Sequence, residues 1–518
     1  MILSKLSLSA FFLSIPAFIA GCSAEHLGVS ELGALSTYKE ELAAKQQKFH
    51  TKSLLLVGLE SYLGRETTYA KSAQELHLKS AGKALILKDA NGLVHKSAEI
   101  TIAWRKVSLL NPLKVARQVA GPFASFESAQ RLALSLKKKG ITVQIAHPKD
   151  WELWVPQGVK VPKELGFVTW NKTITSEIKP VLKGLTGELL LSGPVEIEAP
   201  DGLQLKNGVF SGPFLLQADA YGSWTLIEEV PLERYLLGVV PYEIGAGAPI
   251  SALAAQAVLA RTWALANSNR FEIDGYNLCS DTQCQVYKDP SRASERVRNA
   301  ISKTSGRYLT WKNKPIHAVY HASNGGVMAS GNEAWSMSPL PYLKAQLDGS
   351  NKWIDRFEMP LQTTSGVNDL LQQVEGAYGN SHSRFRWTRI FTSEDLKNFL
   401  TSFKKANASP SHVRVLERGD SGRVIALEIF SEEKDLKIVL RLDEIRRALR
   451  GLPSTLFVVN ELKQGMWQFV GGGFGHGAGL SQAGAIDLAG RGWKTSQILF
   501  HYYPGTTYGT LQDLPKAP

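Results

Sequence analysis

The stretch VPLERYLLGVVPYEIGAGAPISALAAQAVLARTWALAN, from Val230 to Asn267, predicts two helices joined by a tight turn. The first helix runs from about Leu232 to Val239. Pro249 suits the first position of the second helix, because a first-turn residue needs no backbone N–H. That helix continues to about Ala266. Leu253, Gln256, Ala257 and Ala260 share one of its faces. Its many alanines let neighbouring backbone approach closely. Glu243 lies in the turn between Tyr242 and Ile244, and the nearest upstream acid is Glu233. A lone carboxylate in a glycine-rich, apolar turn is a candidate general acid. Poor solvation disfavours its charged form and raises its pKa. The competing reading is a capping or salt-bridging glutamate, with Arg261 as its partner.

Far downstream, GGGFGHGAGLSQAGA (Gly471–Ala485) holds seven glycines, one histidine, one serine, one glutamine and no acid. Gly473, Gly475 and Ala478 satisfy a dinucleotide-binding spacing, but no strand–helix–strand unit follows and no acid stands where a ribose would need one. Ser481 sits in G-x-S-x-x-G, one residue too long for a nucleophile elbow, and no orienting carboxylate is near. The remaining reading is one wall of a sugar groove, where bare backbone comes close to a polysaccharide. His476, Ser481 and Gln482 would then hydrogen-bond hydroxyls. His321 and Ser323, in YHASNGG beside Gly325–Gly326, have the same character. Tyr287, Trp335, Tyr502 and Tyr503 are candidates for stacking on sugar faces. The competing reading is a close-packed turn in which His476 is merely satisfied.

The Val230–Asn267 segment resembles the SpoIID/LytB family. The matching residues are Pro231 to Leu236, Gly238 to Val240, Glu243, Leu253, Ala255 to Val258 and Ala260 to Thr262. Ile244, Ala254 and Trp263 depart from the family pattern, and none of them touches the acid. The likeness continues through Asp281-Thr282, Gln285 and Tyr287, then His321, Ser323, Gly325-Gly326 and Trp335, to GGFGHGAGLSQAGAIDLAGRG and ILFHYYPGTTY. The resemblance implies a lytic transglycosylase that acts on peptidoglycan glycan stripped of its stem peptides. Glu243 aligns with the family's proposed catalytic glutamate, and Arg261, Gln285, Tyr287, His321, Ser323, His476, Ser481 and Gln482 are the implied substrate-binding set. Some members are described as modifiers of an amidase, so a glycan-binding activator without turnover is the alternative.

Other segments fill in the chain. KVARQVAGPFASFESAQRLALSLKKKGITVQIA reads as strand, helix, strand, with Ser125 as N-cap, Gly140 as stop, and Ala129, Leu132, Ala133 and Leu136 on one face. It resembles the SPOR domain, a small βαβ-type module that binds peptide-free glycan; a structural spacer is the alternative. KALILKDANGLVHKSAEITIAW predicts a hairpin around Asn91-Gly92. Residues 165–230 read as short strands split by turn dipeptides, a small sandwich or barrel-like layer. SEDLKNFLTSF and LDEIRRALRG read as helices that either rim the groove or fill the fold.

The N-terminus has one early lysine, an apolar run and then small residues, as in an export signal. Ile19-Ala20-Gly21-Cys22 resembles a bacterial lipobox, which would lipidate Cys22; an ordinary cut after Ala24 is the alternative. The expected location is extracytoplasmic, as a membrane-anchored lipoprotein facing the periplasm or wall. Cys279 and Cys284 remain as a close pair. A disulfide, a zinc site completed from elsewhere and free thiols stay open. No other cofactor or metal is expected. Lys and Arg total 59 against 47 Asp and Glu, a formal charge of +12, which favours an anionic wall polymer or membrane surface. Nucleic acid is not expected, since no dense basic run, zinc finger or RNP-type signature is present. The partners expected are glycan strands, a membrane reached through the lipid, and a cell-wall amidase. The fold class is α+β: a SpoIID-like mixed helix/β catalytic domain over 230–510, a β-rich lead-in over 165–229, a SPOR-like module over 111–160, an unassigned stretch over 23–110 and a signal over 1–22.

Overall fold

Alternating apolar and polar residues build the N-terminal half into two antiparallel layers. In Val195–Glu198 and Leu85–Lys88, Val195, Ile197, Leu85 and Leu87 are buried while their neighbours face outward. The computed structural model describes residues 54–65, 74–184, 187–206, 208–404 and 407–514. Residues 1–22, including Cys22, lie outside the described residues, as does much of 23–110. Among the described residues no helix is long and apolar enough to cross a membrane.

A seven-stranded sheet runs in the order Leu278–Cys279, Leu54–Leu63, Trp224–Pro231, Phe214–Ala218, Val195–Glu198, Leu85–Lys88, Val94–Ser97. The last two strands are the Asn91-Gly92 hairpin. A second sheet is centred on the 25-residue strand Glu99–Phe123, which pairs with Val168–Gly184 along most of its length. That strand passes unbroken through residue 110. The helix Phe126–Lys138 follows, with Ser125 accepting from Ser128 N. Ala129, Ala133 and Leu136 are buried beneath it together with Phe126. Only Gln144–Ala146 of the expected following strand forms, and it pairs antiparallel with Trp151–Pro156.

Trp224–Pro231 leads straight into the helix Leu232–Val240. The second helix, Ile250–Ala266, begins one residue after Pro249, whose extended ψ of 148° puts it at the cap rather than in the first turn. Residues 252–264 of this helix are all buried. The apolar surface therefore extends well beyond the one expected face. The helix is a central post, packed against Leu232–Val240, Glu295–Lys303, Gln482–Gly490 and Thr495–Tyr502. In the sequence between the post and these last two helices, two three-stranded sheets and the helices Ser393–Lys404 and Asp443–Ala448 form a separate core around Trp387, Leu427, Ile445, Trp467 and Phe469. The architecture is α+β.

Candidate active site

Pro241 has no N–H to give, so the regular helix ladder cannot continue through it. The chain widens into a π-helical turn, Pro241–Gly245, that carries Glu243. Such turns recur at functional sites. Tyr242 is exposed, Ile244 is buried and Glu243 is half-buried between them. Glu243 Oε1 accepts from Val286 N at 2.9 Å, and the Tyr320 hydroxyl donates to the same carboxyl. The Tyr320 oxygen accepts from Gln285 Nε2 at 2.8 Å, and Gln285 Oε1 accepts from the Tyr235 hydroxyl at 3.2 Å. This chain leaves the Tyr320 proton free to point at Glu243. Burial raises the Glu243 pKa above the ordinary carboxylate value, and the two neutral donors only partly offset it.

Glu243 opens into a cleft of about 320 Å³. Trp263, Thr282, Gln283, Cys284 and Val286 form one side, Val319, Tyr320, Trp335 and His476 another, and Ser125, Phe126 and Glu127 a third. The third wall belongs to the segment 111–160, expected to be a SPOR-like module. Glu127 is ion-paired with buried Arg270, whose guanidinium also lies 4.4 Å from the Phe126 ring and 4.9 Å from the Trp263 ring. Burial alone would raise the Glu127 pKa; Arg270, with His317 behind it, outweighs burial and holds the carboxyl below its ordinary value. Two carboxyls thus line one cleft with opposite proton affinities.

His476 reaches the cleft, but its ring nitrogens are both engaged. Nδ1 accepts from Ala478 N at 3.2 Å, so Nε2 carries the proton and donates to Tyr320 O at 2.9 Å. Burial pushes its pKa down to about 3. It offers the cleft a neutral ring face, packed 4.6 Å from Trp335. The glycines around it seat against protein rather than facing a ligand. A Cβ on Gly473 would lie 2.6 Å from Ser323 O, and one on Gly475 would lie 2.6 Å from His321 Cβ. Both have positive φ, at 81° and 115°. The loop closes on Tyr320–Gly326 through the parallel pair Tyr320↔Leu480, His321↔Ser481 and the bridge Ser323↔Phe474. The glycine-rich wall is therefore mainly a backbone-to-backbone seam, and His476 is the member of its expected polar set that lines the cleft.

Several expected ligand-binding residues are buried supports. Arg261 is fully buried and holds Glu233 with two hydrogen bonds of 2.7 and 2.8 Å, so it neither binds a ligand nor pairs with Glu243. Tyr287 is 1% exposed and donates to Glu228 at 2.9 Å. Gln285 acts behind Tyr320. His321 binds Ala478 O through Nδ1. Ser323 accepts from Gly325 N. Ser481 caps the helix Gln482–Gly490 by accepting from Gly484 N. Gln482 is half-buried and donates to Gln256. Tyr502 and Tyr503 are buried and cannot stack on a sugar, whereas Trp335 can. Cys279 and Cys284 form a disulfide with a Cα–Cα distance of 5.6 Å. It ties an edge strand to the loop that presents Val286 N, and it leaves neither thiol free for zinc. Tyr320, Val286, Trp263, Arg270 and Glu127 were not foreseen. Tyr320 stands next to His321, Val286 between Gln285 and Tyr287, and Trp263 beside Thr262, whereas Glu127 and Arg270 carry no local signal.

A family model described as Stage II sporulation protein matches residues 220–311. One described as Domain of unknown function (DUF8618) matches residues 329–479. The first spans Glu243 and the disulfide loop; the second spans Trp335 and His476. The chain is 28% identical over 302 residues to Stage II sporulation protein D of Bacillus amyloliquefaciens, covering 54% of this chain and 74% of the relative. It is 25% identical over 377 residues to Stage II sporulation protein D of Bacillus subtilis (strain 168), covering 68% and 91%. It is 29% identical over 300 residues to the Amidase enhancer of the same strain, covering 52% of this chain but only 40% of the relative. With the ordered motifs from Pro231 to Tyr508, these matches show that the chain is similar to the SpoIID/LytB family.

Proposed function

We propose that this chain is a lytic transglycosylase that cuts the MurNAc–GlcNAc bond of peptide-stripped peptidoglycan, with Glu243 as its single acid and base. The observation that carries this reading is a carboxyl of raised proton affinity, held by two neutral donors on the wall of a cleft. Protonated Glu243 gives its proton to the glycosidic oxygen as the bond to the MurNAc anomeric carbon breaks. The Val286 N–H and the Tyr320 hydroxyl then stabilise the carboxylate that forms. The sugar's own 6-hydroxyl attacks the anomeric carbon, and its proton passes to Glu243. The product is a 1,6-anhydro end, and the enzyme returns to its starting state. An intramolecular nucleophile is already in place, which removes the need for a second catalytic carboxylate. Glu127, engaged by Arg270, has no part in that sequence.

Such a substrate lies outside the cytoplasm, which agrees with the lipobox-like Ile19–Cys22 and a lipid anchor. A second reading, a glycan-binding activator of a cell-wall amidase, is favoured by the relative named Amidase enhancer. Mass spectrometry of peptide-free glycan after incubation separates the two. The lyase reading expects anhydro-ended fragments from the wild type. It also expects Glu243→Gln to fold normally and lose roughly 10²–10⁴-fold in rate, the usual contribution of a positioned acid. Intact glycan with the wild type, or undiminished cleavage by Glu243→Gln, refutes it.

A further inference from the structure

The strand Glu99–Phe123 is held at both ends and bare in the middle. Leu76–Ser80 pairs with its start and Trp151–Pro156 with its end. Among the described residues, its only strand partner from residue 103 to 116 is Val168–Gly184. That partner pairs with Gly187–Leu190 only from Val181 onward. The two strands therefore form a ribbon with an open edge on each side. None of the residues 103–119 and 168–179 is buried. A two-stranded ribbon with no covered face gains little from its own apolar side chains.

The ribbon also carries a bulge. Ser108 pairs with Ser176 and Leu113 with Ile174, so Leu109, Leu110, Asn111 and Pro112 stand opposite Thr175 alone. Leu110 is fully exposed, and Leu113 is 39% exposed. An exposed leucine by itself is ordinary, but the surroundings of this one are not. No acid occurs from Thr101 to Ala120 or from Val168 to Ser176. Lys106 and Lys114 flank the bulge in sequence, and Lys172 stands opposite Val115 on the partner strand. All three lysines are exposed. Among the described residues the ion pairs of this stretch are Arg105–Glu188 and Lys179–Glu177, and neither includes them.

Charge and shape select the occupant. A further strand is disfavoured, because the bulge, Pro112 and the lysines interrupt the ladder it would extend. A sugar is disfavoured too, because the bulge offers leucines and a proline where stacking needs an aromatic face. A phospholipid surface meets both halves of the patch. The leucines enter the boundary between headgroups and acyl chains, and the lysines meet headgroup phosphates.

We propose that the bulge Leu109–Leu113, with Lys106, Lys114 and Lys172, is a docking tip for an anionic phospholipid surface. It is separate from the Glu243 cleft, since none of its residues lines that cleft. The tip does not depend on a lipid at Cys22. Where that lipid is present, the tip adds the second, protein-borne contact that turns a tether into an oriented attachment.

The test attaches an environment-sensitive dye to Asn111→Cys in the full chain. Cys22→Ser removes the lipid site, and the Cys279–Cys284 disulfide leaves no other thiol. Vesicles of phosphatidylethanolamine and phosphatidylglycerol should shift the dye emission to the blue, and bromine-labelled acyl chains should quench it. The same dye on Glu433→Cys, an exposed position on the C-terminal half, should stay in water. Each of Lys106→Gln, Lys114→Gln and Lys172→Gln should raise the lipid concentration at half-shift by roughly fivefold, the weight of one lysine at an anionic surface. Leu110→Asp should abolish the shift and leave the fold intact, because a fully exposed side chain holds nothing in place. A dye that stays in water on anionic vesicles overturns the proposal. So does an equal shift on phosphatidylcholine alone, or a shift that survives Leu110→Asp. A blue shift without vesicles that grows with protein concentration assigns the bulge to a second copy of the chain. A shift on lipid-free wall but not on vesicles assigns it to the wall. Either result overturns the lipid surface.

Discussion

Two glutamates line the same cleft, and they differ in everything but the side chain. Glu243 sits in a π-helical turn and meets only neutral donors, Val286 N–H and the Tyr320 hydroxyl. Glu127 sits in the first turn of the helix Phe126–Lys138 and meets a buried guanidinium. Burial acts on both in the same direction. The cation beside Glu127 reverses its effect, and the neutral donors beside Glu243 do not. Pairs of titratable groups driven apart in this way mark the division of labour in acid–base sites. On the proposed reading the chemistry falls to Glu243, while Glu127 locks the third wall of the cleft onto Arg270.

The largest effect that sharpens this contrast is the loss of turnover in Glu243→Gln. Its counterpart on the other wall is a loss of stability. Arg270→Met leaves the Glu127 carboxylate buried without its partner, which should destabilise the fold by about 3–5 kcal/mol. Urea unfolding of that variant against the wild type measures it. An unchanged midpoint would mean that the pair does not hold the wall. A smaller effect is expected at Tyr320. Its hydroxyl favours the ionised form of Glu243, so Tyr320→Phe raises the Glu243 pKa further. The acid must be protonated to act, so the alkaline limb of the kcat/KM profile should move up by about one pH unit, the scale of one hydrogen bond to a charge. A downward shift, or none, would remove Tyr320 from the donor pair.

What could be read from the sequence was local. The turn holding Glu243, the two helices beside it, the Asn91-Gly92 hairpin and the Ser125-capped helix all follow from spacing and turn chemistry within a few residues. The strand Leu54–Leu63 could not be read, because it is fixed by pairing with Trp224–Pro231 and Leu278–Cys279, more than 150 residues away. The same limit explains the site. Arg261, Tyr287, Ser323 and Ser481 have side chains suited to binding sugars, yet each is spent inside the protein. The adjacent pair Tyr320 and His321 makes the point at one strand: the tyrosine faces the acid and the histidine is buried against Ala478 O. The glycines of Gly471–Ala485 announced close approach, but not what approaches; it is the protein's own backbone. Glu127 and Arg270 are 143 residues apart, and no spacing rule connects them.

The most direct test is a carboxyl titration of the full chain labelled with 13C at its glutamate side chains. Comparison with Glu243→Gln and Glu127→Gln spectra assigns the two resonances. Glu243 should titrate above the ordinary glutamate value of about 4.3 and Glu127 below it. If Glu243 titrates at or below that value, it is ionised when substrate arrives and cannot serve as the acid.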